Sequence, residues 1–229
     1  MQTLFFRCCY STSSKGWIQR QARDPYVKAA KANQYRARSA FKLLQLDSKY
    51  KLLKKGHVVI DCGAAPGGWT QVIARKVRDT GLVVAVDLLP IDPIPNAHII
   101  KGDFMDAKVQ SKIQTTLQQR PVNLVCSDMA PSFTGNHFAD HARSMELCES
   151  ALMFAESVLA PGGAFVAKVI MGGDEVQFRQ KLRTMFHQVK QEKPDASRKK
   201  STEVFVVATG FKKNDQLKES SEDTNSGKS

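Results

Sequence analysis

Asp61-Cys62-Gly63-Ala64-Ala65-Pro66-Gly67-Gly68-Trp69 stands between an apolar run, Val58-Val59-Ile60, and a helically patterned segment, Thr70 to Val77. Strand, glycine-rich turn and helix, in that order, form the crevice where open α/β sheets bind nucleotide-like ligands. Small turn residues let the backbone approach a ligand closely. The first helical turn adds N–H groups that have no acceptor within the helix. A dinucleotide fingerprint reads G-x-G-x-x-G, whereas this turn reads G-x-x-x-G-G-W. The spacing argues against a nicotinamide dinucleotide and for another adenosine cofactor.

Outward from this turn, short apolar runs alternate with helical patterns. Strands are expected at His57–Cys62, Leu82–Leu88, His98–Gly102, Asn123–Ser127, Ala164–Ile170 and Val204–Phe211. Helices are expected at Thr70–Arg78, Asp106–Gln118, Asp140–Leu159 and Glu175–Phe186, with Pro161-Gly162-Gly163 as a stop before the Ala164 strand. Continuous Val/Ile/Leu runs mark strands buried on both faces. The pattern predicts an α/β fold with a doubly wound, Rossmann-like, mostly parallel sheet. Between Gln188–Lys193 and Val204–Phe211 no helix intervenes, so a terminal hairpin with an antiparallel C-terminal strand is expected. Upstream, Asp24 to Lys49 reads as one alanine-rich helix. Phe41, Leu43 and Leu44 would face the domain, and Lys28, Lys31, Arg36, Arg38 and Lys42 would project outward or to one side.

The 229-residue chain carries a net charge of +12, from 34 Lys and Arg against 22 Asp and Glu. Thirteen basic but only two acidic residues precede Val58, so that segment holds +11 of the total. A basic block beside a near-neutral domain is the footprint of a polyanion-binding surface. No apolar run approaches the roughly 20 residues of a membrane span. Cys8, Cys9, Cys62, Cys126 and Cys148 form no C-x-x-C pair, and their odd number argues against a disulfide framework. His137 and His141 lie four apart without a Cys or acidic set to complete a metal site, so no metal is expected and both read as surface histidines. Before Asp24 there is no acidic residue, while basic, hydroxyl and apolar residues alternate. Residues 1–20 therefore read as a mitochondrial transit peptide, 21–211 as the folded domain with its basic N-terminal helix, and 212–229 as a disordered polar tail.

Asp61, Asp87, Asp103 and Asp128 all fall at the carboxyl ends of expected strands, where ligands of a parallel sheet sit. Asp87 follows the glycine turn by about 20 residues, the position from which an acid accepts ribose hydroxyls. Lys168 lies in the apolar run Phe165-Val166-Ala167-Lys168-Val169-Ile170, where a cation is costly unless paired or functional. Glu203 opens the last strand, just after Ser197-Arg198-Lys199-Lys200.

Ser39-Ala40-Phe41-Lys42-Leu43, Asp61 through Trp69, Ser127-Asp128-Met129-Ala130-Pro131, Ala160-Pro161-Gly162-Gly163 and Lys193-Pro194-Asp195-Ala196-Ser197-Arg198 together resemble the FtsJ/RrmJ family. These are class I S-adenosyl-L-methionine-dependent 2′-O-ribose methyltransferases of RNA, and the likeness runs from about Asp24 to Phe211. It implies a Lys-Asp-Lys-Glu catalytic tetrad at Lys42, Asp128, Lys168 and Glu203. It also implies that Pro66, Gly67, Gly68 and Trp69 line the methionine end of the cofactor, that Asp87 holds its ribose, that Asp103 receives the adenine amino group, and that Asp128 lies between cofactor and substrate. Within the family the chain is most similar to members that modify a uridine of large-subunit ribosomal RNA. The transit-like N-terminus suits a mitochondrial branch working in the matrix on the large subunit or its precursor. A branch that methylates tRNA shares the same motifs.

A free lysine is mostly protonated at neutral pH. Two roles for Lys168 therefore stay open: a general base for the 2′-hydroxyl, or a charged group that positions it. Lys28, Lys31, Arg36, Arg38 and Lys42, with Arg198, Lys199 and Lys200, are the expected RNA contacts. Three rival readings are a ribosome-assembly factor that merely keeps the fold, a nicotinamide dehydrogenase and a small-molecule methyltransferase. The first is opposed by the intact tetrad, the second by the turn, and the third by the basic N-terminal helix, which a small neutral substrate would not need.

Overall fold

A computed structural model describes residues 23–198 and 201–213. The expected transit segment, residues 214–229 of the tail, and Lys199 and Lys200 lie outside the described residues. The elements are α1 (Pro25–Ala32), α2 (Ala40–Tyr50), β1 (Val58–Cys62), α3 (Gly68–Val77), β2 (Leu82–Asp87), β3 (His98–Lys101), α4 (Ala107–Leu117), β4 (Val122–Ser127), α5 (His137–Val158), β5 (Leu159–Ile170), α6 (Glu175–Met185), β6 (Phe186–Glu192) and β7 (Glu203–Phe211). The strands form one seven-stranded sheet in the order β3-β2-β1-β4-β5-β7-β6. Strands β1 to β5 pair in parallel, while β7 runs antiparallel to both β5 and β6. The expected α/β sheet with its reversed C-terminal strand is present.

Both faces of the central strands are buried, which explains their unbroken apolar runs. Val58, Ile60 and Cys62 pack with Ile113, Leu152, Phe178 and Leu182 on the face covered by α4, α5 and α6. Val59, Val83 and Val207 pack with Leu43, Leu46, Trp69 and Ile73 on the face covered by α2 and α3. The reversal of strand order occurs between β1 and β4, which splay their following loops to opposite sides.

Two expectations need correction. The single helix from Asp24 to Lys49 is two helices, with Gln34 at a φ of 58° in the interruption. Residues 33–39 bond instead to α3: Arg36 N–H donates to Gln71 Oε1 (2.8 Å), Gln71 Nε2 to the Gln34 carbonyl (3.0 Å) and Arg75 Nη1 to the Asn33 carbonyl (3.2 Å). Tertiary hydrogen bonds thus override the alanine-rich propensity. At the other end of α5, Pro161-Gly162-Gly163 do not precede the strand but lie within it. Val122 pairs with Leu159 and Leu124 with Ala164, so the extra residues bulge out of β5.

Phe205 is fully buried and packs on Trp69 at 5.6 Å between ring centroids. Phe205→Ala should cost about 3–5 kcal/mol, read as a lower urea midpoint with little change in slope.

Candidate active site

The carboxyl ends of β1, β2, β3 and β4 enclose a cleft of about 410 Å³ lined by, among others, Gly63, Ala65, Asp87, Asp103, Asp128 and Met129. Asp87 joins two of its loops: Oδ2 accepts from Ala65 N–H (2.9 Å) and Oδ1 from Leu89 N–H (2.8 Å). Each oxygen retains a lone pair for a ligand. Asp103 Oδ1 accepts from Met105 N–H (2.9 Å). Asp128 N–H donates to the Cys62 carbonyl (3.1 Å), which sets its loop across the end of β1. Among the described residues, three carboxylates and no Lys or Arg line this cleft.

A second cleft, of about 470 Å³, is lined by Arg38, Ser39, Lys42, Ala196, Arg198, Ser201 and Glu203. Its charge is the reverse, with three cations to one carboxylate among the described residues. A line of ionic side chains connects the two. Lys42 Nζ lies 2.6 Å from Glu203 Oε1 and 5.4 Å from the centre of the Phe205 ring. Lys168 Nζ donates to the Asp128 carbonyl at 2.7 Å and lies 3.1 Å from Asp128 Oδ1. Asp128 Oδ1 is buried and receives no well-directed hydrogen bond from the described residues, so it keeps acceptor capacity. Burial alone would raise the Glu203 carboxyl, but the Lys42 charge and hydrogen bond, with further help from Ser197 and Lys168, hold it below the usual range. The antiparallel register brings Glu203 opposite Ile170, two residues beyond Lys168. All four tetrad positions, Lys42, Asp128, Lys168 and Glu203, are therefore gathered at the junction of the clefts.

Other expected site residues are placed differently. Pro66, Gly67, Gly68 and Trp69 do not contribute to the cleft lining. Gly67 N–H closes the turn on the Ala64 carbonyl (2.7 Å), and Gly67 has a φ of 107°. A Cβ there would stand 2.7 Å from Ile94 Cδ1. Trp69 is 2% exposed, and its Nε1 donates to the Ser39 carbonyl (2.8 Å). What this stretch can offer a ligand is the main-chain N–H groups that open α3.

Asp61 lies inside β1 with no exposure, accepting from Thr70 Oγ1 (2.7 Å) rather than facing a ligand. Burial pushes its carboxyl up from an ordinary 3.8 to about 7, with smaller upward contributions from Asp128 and Asp87 against the Thr70 bond. His141 is buried, not superficial, because a turn after β5 wraps its ring. Among the expected RNA-facing cations, Lys28 and Lys31 are exposed. Arg36 donates to the carbonyls of Asp92 (2.8 Å) and Pro93 (2.9 Å). Arg38 pairs with Asp24 and bonds the Ala196 carbonyl. These two arginines tie loops together, and only Arg38 also lines the basic cleft. Leu88 and Leu89, exposed at the acidic cleft, are additions to the expected site; two consecutive leucines just past a strand-end aspartate are the available sequence signal.

Among the described residues, no group of three or more His, Cys, Asp or Glu is arranged to hold a metal ion. No described helix is long and apolar enough to cross a membrane.

Residues 35–211 match the FtsJ-like methyltransferase family. The chain is 51% identical over 204 residues to the ribosomal RNA large subunit methyltransferase E of Granulibacter bethesdensis, covering 89% of this chain and 87% of the relative. It is 46% identical over 203 residues to the protein of that name from Acinetobacter baumannii, covering 89% and 94%. Among solved structures, a provisionally named ribosomal RNA methyltransferase of Plasmodium falciparum superposes with a TM-score of 0.69 at 32% identity, over 77% of this chain and 98% of that one.

The raised Asp61 carboxyl makes stability depend on pH. A group whose folded pKa exceeds its unfolded value contributes fully below the unfolded value, and that contribution is lost as pH rises through the folded one. Each pH unit between the two values corresponds to about 1.4 kcal/mol. Wild type should therefore lose stability on the order of a few kcal/mol between about pH 4 and pH 8 from this group. Asp61→Asn should lack that loss and be the more stable protein at the alkaline end. Urea denaturation of both proteins across this range checks this, and parallel pH dependences would refute it.

Proposed function

The chain belongs to the FtsJ-like methyltransferase family, and from that premise we propose that it methylates the ribose 2′-hydroxyl of a uridine in mitochondrial large-subunit ribosomal RNA. The methyl donor is S-adenosyl-L-methionine, the compartment is the mitochondrial matrix, and the mark supports ribosome assembly. The observation that carries this reading is the pair of oppositely charged clefts joined by Lys42, Glu203, Lys168 and Asp128.

The acidic cleft fits the proposed cofactor chemically. A sulfonium and an α-ammonium are cationic and are favoured near Asp87, Asp103 and Asp128. A pyrophosphate would want cations around it, and no described Lys or Arg lines this cleft. In this reading Asp87 takes the ribose hydroxyls and Asp103 the adenine amino group, while the buried Asp128 Oδ1 has acceptor capacity in reserve. When bound, S-adenosyl-L-methionine supplies an electrophilic methyl group.

The basic cleft receives the RNA. Arg38 and Arg198 attract its phosphates, with exposed Lys28 and Lys31 beyond and Lys199 and Lys200 in the same stretch as Arg198. The 2′-hydroxyl enters beside Lys168. Asp128 fixes the amine from the cofactor side, and Glu203, held by Lys42, faces it from the RNA side. Lys168 orients the hydroxyl and accepts its proton as the oxygen attacks, and holding the partners in line supplies much of the rate.

The relatives named for large-subunit ribosomal RNA support that substrate, and the acid-poor residues 1–20 support a mitochondrial transit peptide ahead of a domain spanning 21–211. Mapping of 2′-O-methyl groups in mitochondrial ribosomal RNA from cells lacking the protein should show one uridine of the large subunit unmodified. Wild type should restore it and Lys168→Ala should not. Unchanged ribosomal marks would sink the substrate assignment.

A further inference from the structure

β5 outruns its parallel neighbour. The β4 ladder ends at Ser127 opposite Ala167, but β5 continues through Lys168 to Ile170, held on the other side by β7 as far as Ile170 opposite Glu203. Past Ala167, main-chain groups of β5 bond to side chains of α5. Cys148 Sγ donates to the Lys168 carbonyl (3.1 Å), Ser144 Oγ accepts from Ile170 N–H (3.4 Å), and His141 Nδ1 donates to the Ile170 carbonyl (2.8 Å). Residues 141, 144 and 148 are spaced three and four apart, so they form one stripe along the helix. All three are buried.

Each member suits its task. Burial pushes the Cys148 thiol up to about 12, so it keeps the proton it donates. His141 Nε2 faces both the Asp174 N–H (3.3 Å) and the Asp174 carboxylate (3.2 Å). The first partner suits a neutral ring and the second a protonated one, and the Nδ1–H bond to Ile170 survives in either state. The turn after β5 closes tightly round the ring: a Cβ on Gly172 would lie 2.4 Å from His141 Cγ. Glu175 Oε2 braces the same turn from Gly172 N–H (3.2 Å) and Gly173 N–H (2.6 Å).

We propose that His141, Ser144 and Cys148 are positioning residues that stand in for the missing strand and fix the Lys168 amine relative to Asp128 and Glu203. The proposal rests on the methyltransferase reading of Lys168 given above. The loss of one anchor lets the end of β5 shift while the ladders of β1 to β4, which carry Asp87 and Asp103, keep their pairing.

The test compares His141→Phe, His141→Asn, Cys148→Ala and Cys148→Ser with wild type and Lys168→Ala. The readouts are single-turnover methyl transfer to unmodified large subunits from cells lacking the protein, binding of S-adenosyl-L-methionine, and a crystal structure of each folded variant. A displacement near 1 Å can cost on the order of a hundredfold in rate. His141→Phe and Cys148→Ala should therefore slow transfer by about tenfold or more, with cofactor affinity unchanged. Asn, which can donate from the Nδ1 position, and Ser, which keeps a donor, should restore most of the rate. If His141→Phe does not fold, the milder Cys148 pair decides. Unaltered rates in these variants beside an inactive Lys168→Ala would overturn the positioning role alone. Full activity of Lys168→Ala, or none in wild type, would overturn the parent reading. The crystal structures judge the stripe independently of activity: Lys168 Nζ still bonded to the Asp128 carbonyl in Cys148→Ala would refute it.

Discussion

The site depends on one buried indole. Trp69 follows the glycine turn in the first turn of α3, donates its indole N–H to the carbonyl of Ser39, and lays its ring against Phe205. Ser39 directly precedes α2, whose first turn carries Lys42, and Phe205 follows Glu203 by two residues in β7. One side chain thus sets where both ends of the Lys42–Glu203 pair can lie. A tryptophan suits this because it combines a large apolar ring with one directional donor. The ammonium of Lys42 completes the stack above Phe205. The turn that opens the acidic cleft is therefore also the foundation of the basic one.

Charge is arranged along the same axis. From the basic cleft inward the order is Lys42, Glu203, Lys168, Asp128, each next to one of opposite sign. A lone ion at such a depth would be expensive, but an alternating row lets each charge be compensated by its neighbour. The row also separates two surfaces of opposite character. One mouth favours a polyanion and the other a cation.

Strands were more legible in the sequence than contacts. The apolar runs marked the sheet because burial on both faces leaves continuous Val and Ile, and strand-end acids marked Asp87, Asp103 and Asp128 because the ligand edge of a parallel sheet is fixed by topology. The same rule misassigned Asp61, since a strand-end acid can turn inward when Thr70 and Cys126 offer it donors. Propensity misjudged residues 33–39, where side chains from α3 compete with helix hydrogen bonds. His141 looked superficial because nothing local reveals a turn that wraps it from about 30 residues away. The charge count found the basic surface yet not its division of labour. Arg36 and Lys28 are alike in sequence, but one is spent on carbonyl groups of a neighbouring loop.

The reversal of β7 has a bearing on how the molecule comes into being. Every other strand that contributes to the ligand edge delivers its residue at the end of a forward run, whereas Glu203 arrives at the beginning of a backward one. Lys42 is therefore synthesised 161 positions before its counter-ion. A nascent chain can already have all the strands of the acidic cleft while the edge beside it is open and its first lysine unmatched. Maturation of the site waits on the last strand of the sheet, so a fragment that ends before it carries the acidic cleft without the Lys42–Glu203 pair beside it.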